Sequence, residues 1–500
     1  MQRKSGILCP IFSLPSKYGM GSFGKESYKF IDFLKSSGQT VWQILPLVQT
    51  GYGNSPYSSV CSHSLNPYFI SLVELKKQGL LTKTELEFAI VQDKKYIDYG
   101  ELYSVRYPLL RKAFSRFNRD NVEFKRYLRK KESLDYAMFM AIKYASGQKP
   151  FYEWEEELKN RDKKSLDRFY RNYKEEVLFW QFLQFVAKKQ WLSLKNYANQ
   201  NGVVIMGDMP LYVALDSVDV WVNPSLYKLD EKFLPKKVAG VPPDYFSEKG
   251  QLWGNPVYDY SVHEQNGFEW WVDRLKKALE IYDYVRIDHF RGLDRYYQVD
   301  ADAENAICGE WVKVPSEKLF NAIHQKIDKD RIIAEDLGII DDGVRDLLKA
   351  TGYPGMKILL FAFDGQPDNF YLPENIAENY ICYTGTHDND TLMGFIGNLT
   401  EWDKNNLVNG VKNSLKKLGV EGDTSTDIEL AKALINLGAY SKAKWFILPL
   451  QDVFGLNSEY RINEPGTVKE QNWAVKFTEI EFGTSAKTML RKLCKKYKRI

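Results

Sequence analysis

The sequence predicts an α/β fold of the (β/α)8 TIM barrel class, with large, mostly helical insertions between barrel strands. The 500-residue chain contains eight short apolar runs that suit buried parallel strands. Patterns of helical period lie between these runs, and such alternation is typical of parallel βαβ units. Eight strands are the number that closes a barrel. A doubly wound open sheet remains the alternative, because short apolar runs define strand boundaries poorly.

Each predicted element rests on its own local pattern. The eight predicted strands cover residues 6–12, 40–46, 203–209, 282–288, 331–337, 356–363, 380–386 and 445–451. Helical periodicity is clearest at residues 26–36, 268–281, 316–327 and 343–350. We find no internal repeat and no low-complexity linker, so residues 1–500 are expected to form a single catalytic barrel.

The spacing of the predicted strands indicates where the insertions lie. Residues 52–200, after the second strand, are rich in Lys, Glu, Tyr and Phe with helical periodicity, and they predict a helical insertion. Residues 210–281, after the third strand, contain Trp, Asn, Pro and Gly in loop-like order and predict an insertion with an active-site loop. Both would leave the carboxyl ends of strands, the face on which barrel active sites lie.

Composition narrows the possible functions. With 69 basic and 65 acidic residues the net charge is +4, which gives no reason to expect a nucleic acid or a membrane as partner. No stretch has the roughly 20 apolar residues of a membrane span, and no signal-peptide pattern is present. The five cysteines are widely spaced without a C-x-x-C pair, which argues against disulfides and a cysteine zinc site. We therefore expect a cytoplasmic protein.

Four of the eight predicted strands end in carboxylates. These are Asp208, Asp288, Glu335 and Asp388, in the third, fourth, fifth and seventh strands. An unpaired charge is costly at a buried strand end, so these acids need partners. Any one of them could be a helix N-cap or a member of an ion pair. Four together, at one edge of a barrel, favour a catalytic site.

Cleavage of a glycosidic bond needs one protonated carboxyl and one carboxylate. We assign Asp288 as the nucleophile, because Arg286 lies two residues earlier on the same strand face and would keep it ionised. Glu335, in more apolar surroundings, could hold a proton near neutral pH and act as general acid/base. Asp388 could bind sugar hydroxyls and oppose the positive charge that develops on the sugar.

At these residues the sequence resembles the 4-α-glucanotransferases, also called amylomaltases or disproportionating enzymes, which form glycoside hydrolase family 77 in the α-amylase clan. The similar segments are VRIDHFRG at 285–292, IAEDLG at 333–338, YTGTHDND at 383–390, SLPS at 13–16, GNSPY at 53–57, PPDYF at 242–246 and LWGNP at 252–256. The matches extend from about residue 6 to residue 463. One departure is Ile462, where the family's late Arg-Met-Asn stretch has Met.

The resemblance implies a retaining enzyme that passes a segment of a 1,4-α-glucan to the 4-position of an acceptor through a glycosyl-Asp288 intermediate. Malto-oligosaccharides would be donors, and glucose or an oligosaccharide the acceptor. It implies no cofactor and no metal, and we expect a monomer or weak homo-oligomer. The implied substrate-binding residues are Tyr57, Asp208, Asp244, Tyr245, Trp253, Arg286, His289, His387 and Asn463.

Three other functions remain as alternatives. The G-x-G-x-x-G motif at 19–24 could indicate a dinucleotide site, but no Asp or Glu occurs from 33 to 73 to bind a ribose. We interpret the motif as a flexible loop over the barrel mouth. A non-catalytic sugar-binding barrel is disfavoured because all three acids are present. An α-glucan hydrolase differs only in that water attacks the intermediate, so the residues alone do not exclude it.

Overall fold

The computed structural model describes residues 3–51, 53–91, 94–243, 247–338, 340–477 and 482–499, and within these ranges the chain forms twelve strands and nineteen α-helices. The strands are β1 (Lys4–Leu8), β2 (Val41–Gln43), β3 (Val204–Met209), β4 (Lys237–Val241), β5 (Gln251–Pro256), β6 (Tyr284–Ile287), β7 (Arg295–Asp300), β8 (Gly309–Lys313), β9 (Ile332–Ala334), β10 (Gly355–Ile358), β11 (Tyr380–Tyr383) and β12 (Trp445–Pro449). The helices are α1 (Lys25–Ser36), α2 (Leu72–Lys77), α3 (Lys83–Phe88), α4 (Tyr99–Arg116), α5 (Val122–Leu128), α6 (Lys131–Ala145), α7 (Glu156–Lys159), α8 (Lys163–Asn172), α9 (Lys174–Gln200), α10 (Val218–Val222), α11 (Tyr260–Gln265), α12 (Glu269–Ile281), α13 (Ser316–His324), α14 (Asp342–Thr351), α15 (Leu392–Asn398), α16 (Glu401–Leu418), α17 (Asp427–Tyr440), α18 (Leu450–Phe454) and α19 (Thr484–Lys496).

Eight of the strands form one parallel sheet in the order β10-β11-β12-β1-β2-β3-β6-β9. The two ends of this order meet, because the N–H of Ala334, the last residue of β9, donates to the Pro354 carbonyl before β10 at 2.9 Å. The Asp336 carboxylate adds a bond across the same seam, accepting from the Met356 N–H at 2.5 Å. The predicted (β/α)8 barrel is therefore confirmed, and its eight strands lie within or overlap the eight predicted runs.

The barrel strands are apolar on both faces, as their position requires. Inward-facing side chains fill the barrel, and alternate residues face the surrounding helices, as Leu8 and Ile7 do in β1. The buried interior cluster consists of Leu8, Val41, Met206, Ile333, Met356, Ile358, Ile381, Tyr383, Trp445 and Ile447. This packed interior forms a rigid base for the residues at the strand ends.

Helices α2 to α9 lie between β2 and β3. The long α9 packs along α6 and buries a row of aromatic and aliphatic side chains, among them Phe179, Phe182 and Trp191. The division of the chain into one barrel with insertions at 52–200 and 210–281 remains a prediction.

A second, antiparallel sheet has the strand order β5-β4-β7-β8, and the sequence analysis did not predict it. It joins two strands that precede β6 to two that follow it, so the loop-like region before residue 281 shares its sheet with residues 295–313. These strands are short, and β5 and β8 are largely exposed or half-buried, which explains their weak sequence signal.

The glycine motif at 19–24 is not a flexible loop, because all six of its residues are buried. A β-carbon on Gly21 would stand 1.9 Å from the Ile11 carbonyl oxygen, and one on Gly24 would stand 2.5 Å from the Ser71 hydroxyl. The glycines therefore permit close packing of backbone segments.

The structure also bears on membrane spans, disulfides and metal sites. Among the described residues, no helix combines the length and apolarity needed to cross a bilayer. All five cysteines are unpaired, and Cys308 is the exposed one. Within the same ranges, the His, Cys, Asp and Glu side chains form no group of three or more suited to hold a metal ion.

Candidate active site

Four carboxylates gather at the carboxyl ends of the barrel strands. Asp208 is near the end of β3, Asp288 directly follows β6, and Glu335 directly follows β9. These three strands are successive neighbours in the barrel, and Asp388 lies in the loop after β11 on the same face. The structure thus brings together the strand-end acids that the sequence singled out.

Arg286 links two of these carboxylates. Its guanidinium donates to Asp208 twice, from Nε at 2.9 Å and from Nη2 at 2.6 Å, and Nη2 also donates to Asp288 Oδ1 at 2.8 Å. The side chains of Arg286 and Asp208 are almost fully buried, whereas that of Asp288 is 28% exposed. Asp208 therefore anchors the guanidinium, and Asp288 remains accessible.

Arg286 opposes a substantial effect of burial at Asp288. Burial raises the pKa of Asp288, the Arg286 guanidinium lowers it, and the negative charges of the neighbouring acids raise it again. The net effect is a raised pKa, mainly because of burial, which differs from the expectation that Arg286 would simply keep Asp288 ionised. Asp208 takes two of the guanidinium's hydrogen bonds. The exposed part of the Asp288 side chain and its direct contact with Arg286 both favour the carboxylate form.

Tyr57 connects this network to His387. Its hydroxyl donates to Asp208 Oδ2 at 2.5 Å and lies 2.9 Å from His387 Nε2. Burial and then the charge of Asp208 raise the pKa of Tyr57 well above its usual value, so the phenol keeps its proton. Since that proton goes to Asp208, the Tyr57 oxygen accepts from His387, which must carry its proton on Nε2. Burial lowers the pKa of His387, in keeping with a neutral ring.

Asp388 is held from two sides. Its Oδ2 lies 3.3 Å from His387 Nε2, and its Oδ1 accepts from Asn463 Nδ2 at 2.7 Å. The Arg461 guanidinium donates to the Asp388 backbone carbonyl at 2.7 Å. The Asp388 side chain is 43% exposed, so its carboxylate is oriented and still free to meet a ligand.

Glu335 occupies a pocket formed by backbone N–H groups. Its Oε2 accepts from the His289 N–H at 2.6 Å and its Oε1 from the Leu337 N–H at 2.8 Å. His289 reaches this position in a left-handed conformation with φ 53°, uncommon for a residue other than glycine. Burial raises the pKa of Glu335 to about 7, against the lowering effects of Arg286 and the two backbone donors. Glu335 can therefore exchange a proton near neutral pH, as the sequence analysis expected.

Aromatic rings border the carboxylates. The Trp253 ring on β5 meets the His289 ring edge to face at a centroid distance of 4.8 Å, and Trp253 is 37% exposed. Burial lowers the pKa of His289 to about 4, with a further contribution from Arg291. Two of the expected substrate-binding residues, Asp244 and Tyr245, lie outside the described residues.

Two residues that contact this cluster were not predicted from the sequence as site residues. Trp473 lies beside Tyr57 and His387, with centroid distances of 5.5 and 5.9 Å. Arg461 was seen only as part of a motif, although its guanidinium contacts the loop of Asp388. Both come from the last part of the chain, where no strand-end pattern pointed to the site.

The chain is similar over its whole length to known enzymes. A model of a family described as 4-alpha-glucanotransferase matches residues 9–481. The 4-alpha-glucanotransferase of Clostridium butyricum is 43% identical over 495 residues, which cover 98% of this chain and 99% of that protein. That of Streptococcus pneumoniae is 39% identical over 505 residues, covering 100% and 98%. The amylomaltase from Streptococcus agalactiae, solved in complex with acarbose, has a TM-score of 0.94 at 36% identity, covering 100% of both chains. The resemblance seen in the motifs is confirmed, and the chain belongs to the 4-alpha-glucanotransferase family of enzymes.

Proposed function

We propose that the chain transfers a segment of a 1,4-α-glucan to the 4-hydroxyl of glucose or of another 1,4-α-glucan, with retention of configuration. The observation that carries this proposal is the pairing of two carboxyls on adjacent barrel strands. Glu335 has a pKa of about 7, and Asp288 is contacted by a guanidinium at 2.8 Å. A proton donor beside a carboxylate is the equipment of glycoside cleavage.

The reaction has two displacements. In the first, an Asp288 carboxylate oxygen bonds to the anomeric carbon of the donor, and the bond between that carbon and the glycosidic oxygen breaks. Glu335 gives its proton to the glycosidic oxygen. In the second, Glu335 takes the proton of the acceptor 4-hydroxyl, whose oxygen displaces Asp288 from the anomeric carbon. Glu335 ends protonated and Asp288 ionised, as both began.

We assign supporting roles to the residues around these two. Asp388, held by Asn463, would bind sugar hydroxyls and oppose the positive charge that develops on the ring. The polar and aromatic groups proposed to bind the glucan are Tyr57, Asp208, Asp244, Tyr245, Trp253, Arg286, His289, His387 and Asn463. The acarbose complex of the Streptococcus agalactiae amylomaltase supports a glucan-like ligand for this site.

Maltotriose as sole substrate tests the transfer reaction. We expect glucose together with a ladder of longer oligomers, because each intermediate meets another sugar as acceptor. Chromatography of the products separates this result from hydrolysis, which gives only glucose and maltose and would contradict the proposal. The measurement uses the whole chain without additives, and dialysis against a metal chelator should leave the rate unchanged.

The two catalytic assignments are tested by Asp288→Asn and Glu335→Gln. Each variant should lose at least ~100-fold in turnover, since nucleophile and acid/base contribute separately. Circular dichroism and the unfolding midpoint should show an intact fold. Near-normal turnover in either variant would refute its assignment.

We also propose that the protein acts in the cytoplasm as a monomer or weak homo-oligomer. The five unpaired cysteines support a reducing compartment. Sedimentation at several protein concentrations tests the oligomeric state, and a stable large assembly would contradict it.

A further inference from the structure

The loop after β10 presents an exposed aromatic ring at Phe370. The residue is 65% exposed, and the proposed mechanism does not use it. Single exposed apolar rings are common on protein surfaces, so the surroundings of Phe370 decide whether it could bind a ligand.

Hydrogen bonds hold the loop around Phe370 in place. Asn369 Nδ2 donates to the Phe361 carbonyl at 2.8 Å, and Asn369 Oδ1 accepts from the Tyr371 N–H at 2.7 Å. Asn375 Nδ2 donates to the Asn369 carbonyl at 2.9 Å. The backbone on both sides of Phe370 is thus anchored. Binding of a ligand to the ring would therefore cost little conformational entropy of the loop.

The ring continues an aromatic surface that begins beside Glu335. The Tyr371 side chain packs against the buried interior cluster of the barrel, as does Leu337, two residues after Glu335. The Lys357 ammonium lies 5.1 Å from the Tyr371 centroid and 3.5 Å from the carboxylate of Asp336, the residue next to Glu335. The Phe361 ring meets Tyr371 edge to face at 5.6 Å and is itself 37% exposed. Phe370 directly follows Asn369, whose side chain hydrogen-bonds to the backbone of both Phe361 and Tyr371.

A contact from the neighbouring strand's helix confirms which side of the barrel the ring lies on. The guanidinium of Arg345 lies 6.0 Å from the Phe370 centroid. Arg345 belongs to α14, the helix that follows β9 and Glu335. Phe370 therefore lies in the loop after β10 and beside the helix after β9, whereas Asp388 and Asn463 belong to later segments after β11 and β12.

The chemistry of the reaction indicates which part of the substrate would lie on the Glu335 side of the site. Glu335 exchanges protons with the leaving oxygen and then with the acceptor hydroxyl, so the acceptor glucan must extend past Glu335. Glucose rings have apolar faces that pack on flat aromatic rings. We propose that Phe370 is a stacking platform for the outer glucose units of the acceptor, so that it makes the enzyme prefer longer acceptors; this inference rests on the proposed transfer function.

The test isolates the acceptor step. α-Maltosyl fluoride is used as donor, because fluoride leaves and places no sugar on the acceptor side. Transfer is then measured to glucose, maltose, maltotriose and maltotetraose. In Phe370→Ala, kcat/KM for maltotetraose should fall about five-fold, equal to about 1 kcal/mol, while the value for glucose stays unchanged. Phe370→Tyr keeps the ring and should restore the preference.

A matched control is Phe88→Ala, which removes another exposed phenyl ring, 78% exposed on α3. It should leave every acceptor unaffected. Equal losses for glucose and maltotetraose in Phe370→Ala, or no loss for any acceptor, would overturn the platform while leaving the transfer function in place. If the wild-type protein released maltose and formed no transfer product with any acceptor, the proposed function itself would fall and this inference with it.

Discussion

Removal of the Tyr57 hydroxyl tests whether the buried hydrogen-bond network supports catalysis. In Tyr57→Phe, Asp208 loses its 2.5 Å hydrogen bond. Among the described residues, Asp208 then keeps the hydrogen bonds from Arg286, and His387 Nε2 keeps Asp388 at 3.3 Å. A hydrogen bond to a charged group contributes about 1.5–3 kcal/mol. At about 1.4 kcal/mol for each factor of ten in rate, full expression of this loss in the transition state gives a decrease in kcat of about 10- to 150-fold.

The assay is the initial rate of glucose release from maltotriose, together with urea unfolding. Tyr353→Phe is the matched control, because the Tyr353 hydroxyl lies 2.8 Å from His324 Nε2 and the residue precedes β10, at the opposite end of the barrel. It should cost about 1 kcal/mol of stability and leave kcat within about two-fold. If Tyr57→Phe lowered kcat no more than this control, the network would be structural and the reasoning would be wrong.

Three further outcomes are expected. Because Glu335 must hold a proton to cleave the donor and its pKa is about 7, kcat/KM should fall as the pH rises through this value; a flat profile across neutrality would contradict the assignment. Asn463→Ala removes the 2.7 Å hydrogen bond to Asp388 and should lower kcat about ten-fold, and an unchanged kcat would show that the contact is dispensable. Gly21→Ala should reduce the free energy of unfolding by about 1–3 kcal/mol, because the new β-carbon clashes with backbone. Gly397→Ala changes a helical site with no atom within 4 Å of the new β-carbon, and it should raise the free energy of unfolding by about 0.5–1 kcal/mol. Equal urea midpoints would refute the packing argument.

The barrel and its acids were predictable because both have local signals. A buried parallel strand is apolar along its length, and an acid at its end is visible as a change of residue type, as at Asp288 and Glu335. Once eight such strands were assigned, barrel geometry placed the acids on one face.

Other parts of the site depend on contacts between distant segments and could not be predicted. Asp208 and Arg286 lie on neighbouring strands but are paired only by sheet register. Tyr57 and Trp473 reach the same cluster from opposite ends of the chain, and no local pattern records that they meet. Asp336 was recognised as part of a motif, although its bond across the barrel seam depends on β10.

The accessory sheet ties the order of synthesis to the completion of the ligand-binding face. Trp253 lies on β5, which is joined to the sheet only through β4, and β4 pairs with β7. β7 follows Asp288 in the chain. The ribosome therefore synthesises the nucleophile before the strand that pairs with β4 and so supports Trp253 on β5. The last strand of the accessory sheet to be synthesised, β8, ends at Lys313. A chain released before Lys313 would therefore contain Asp288 beside an incomplete accessory sheet. It would lack both the proton donor Glu335 and a stable ligand-binding face.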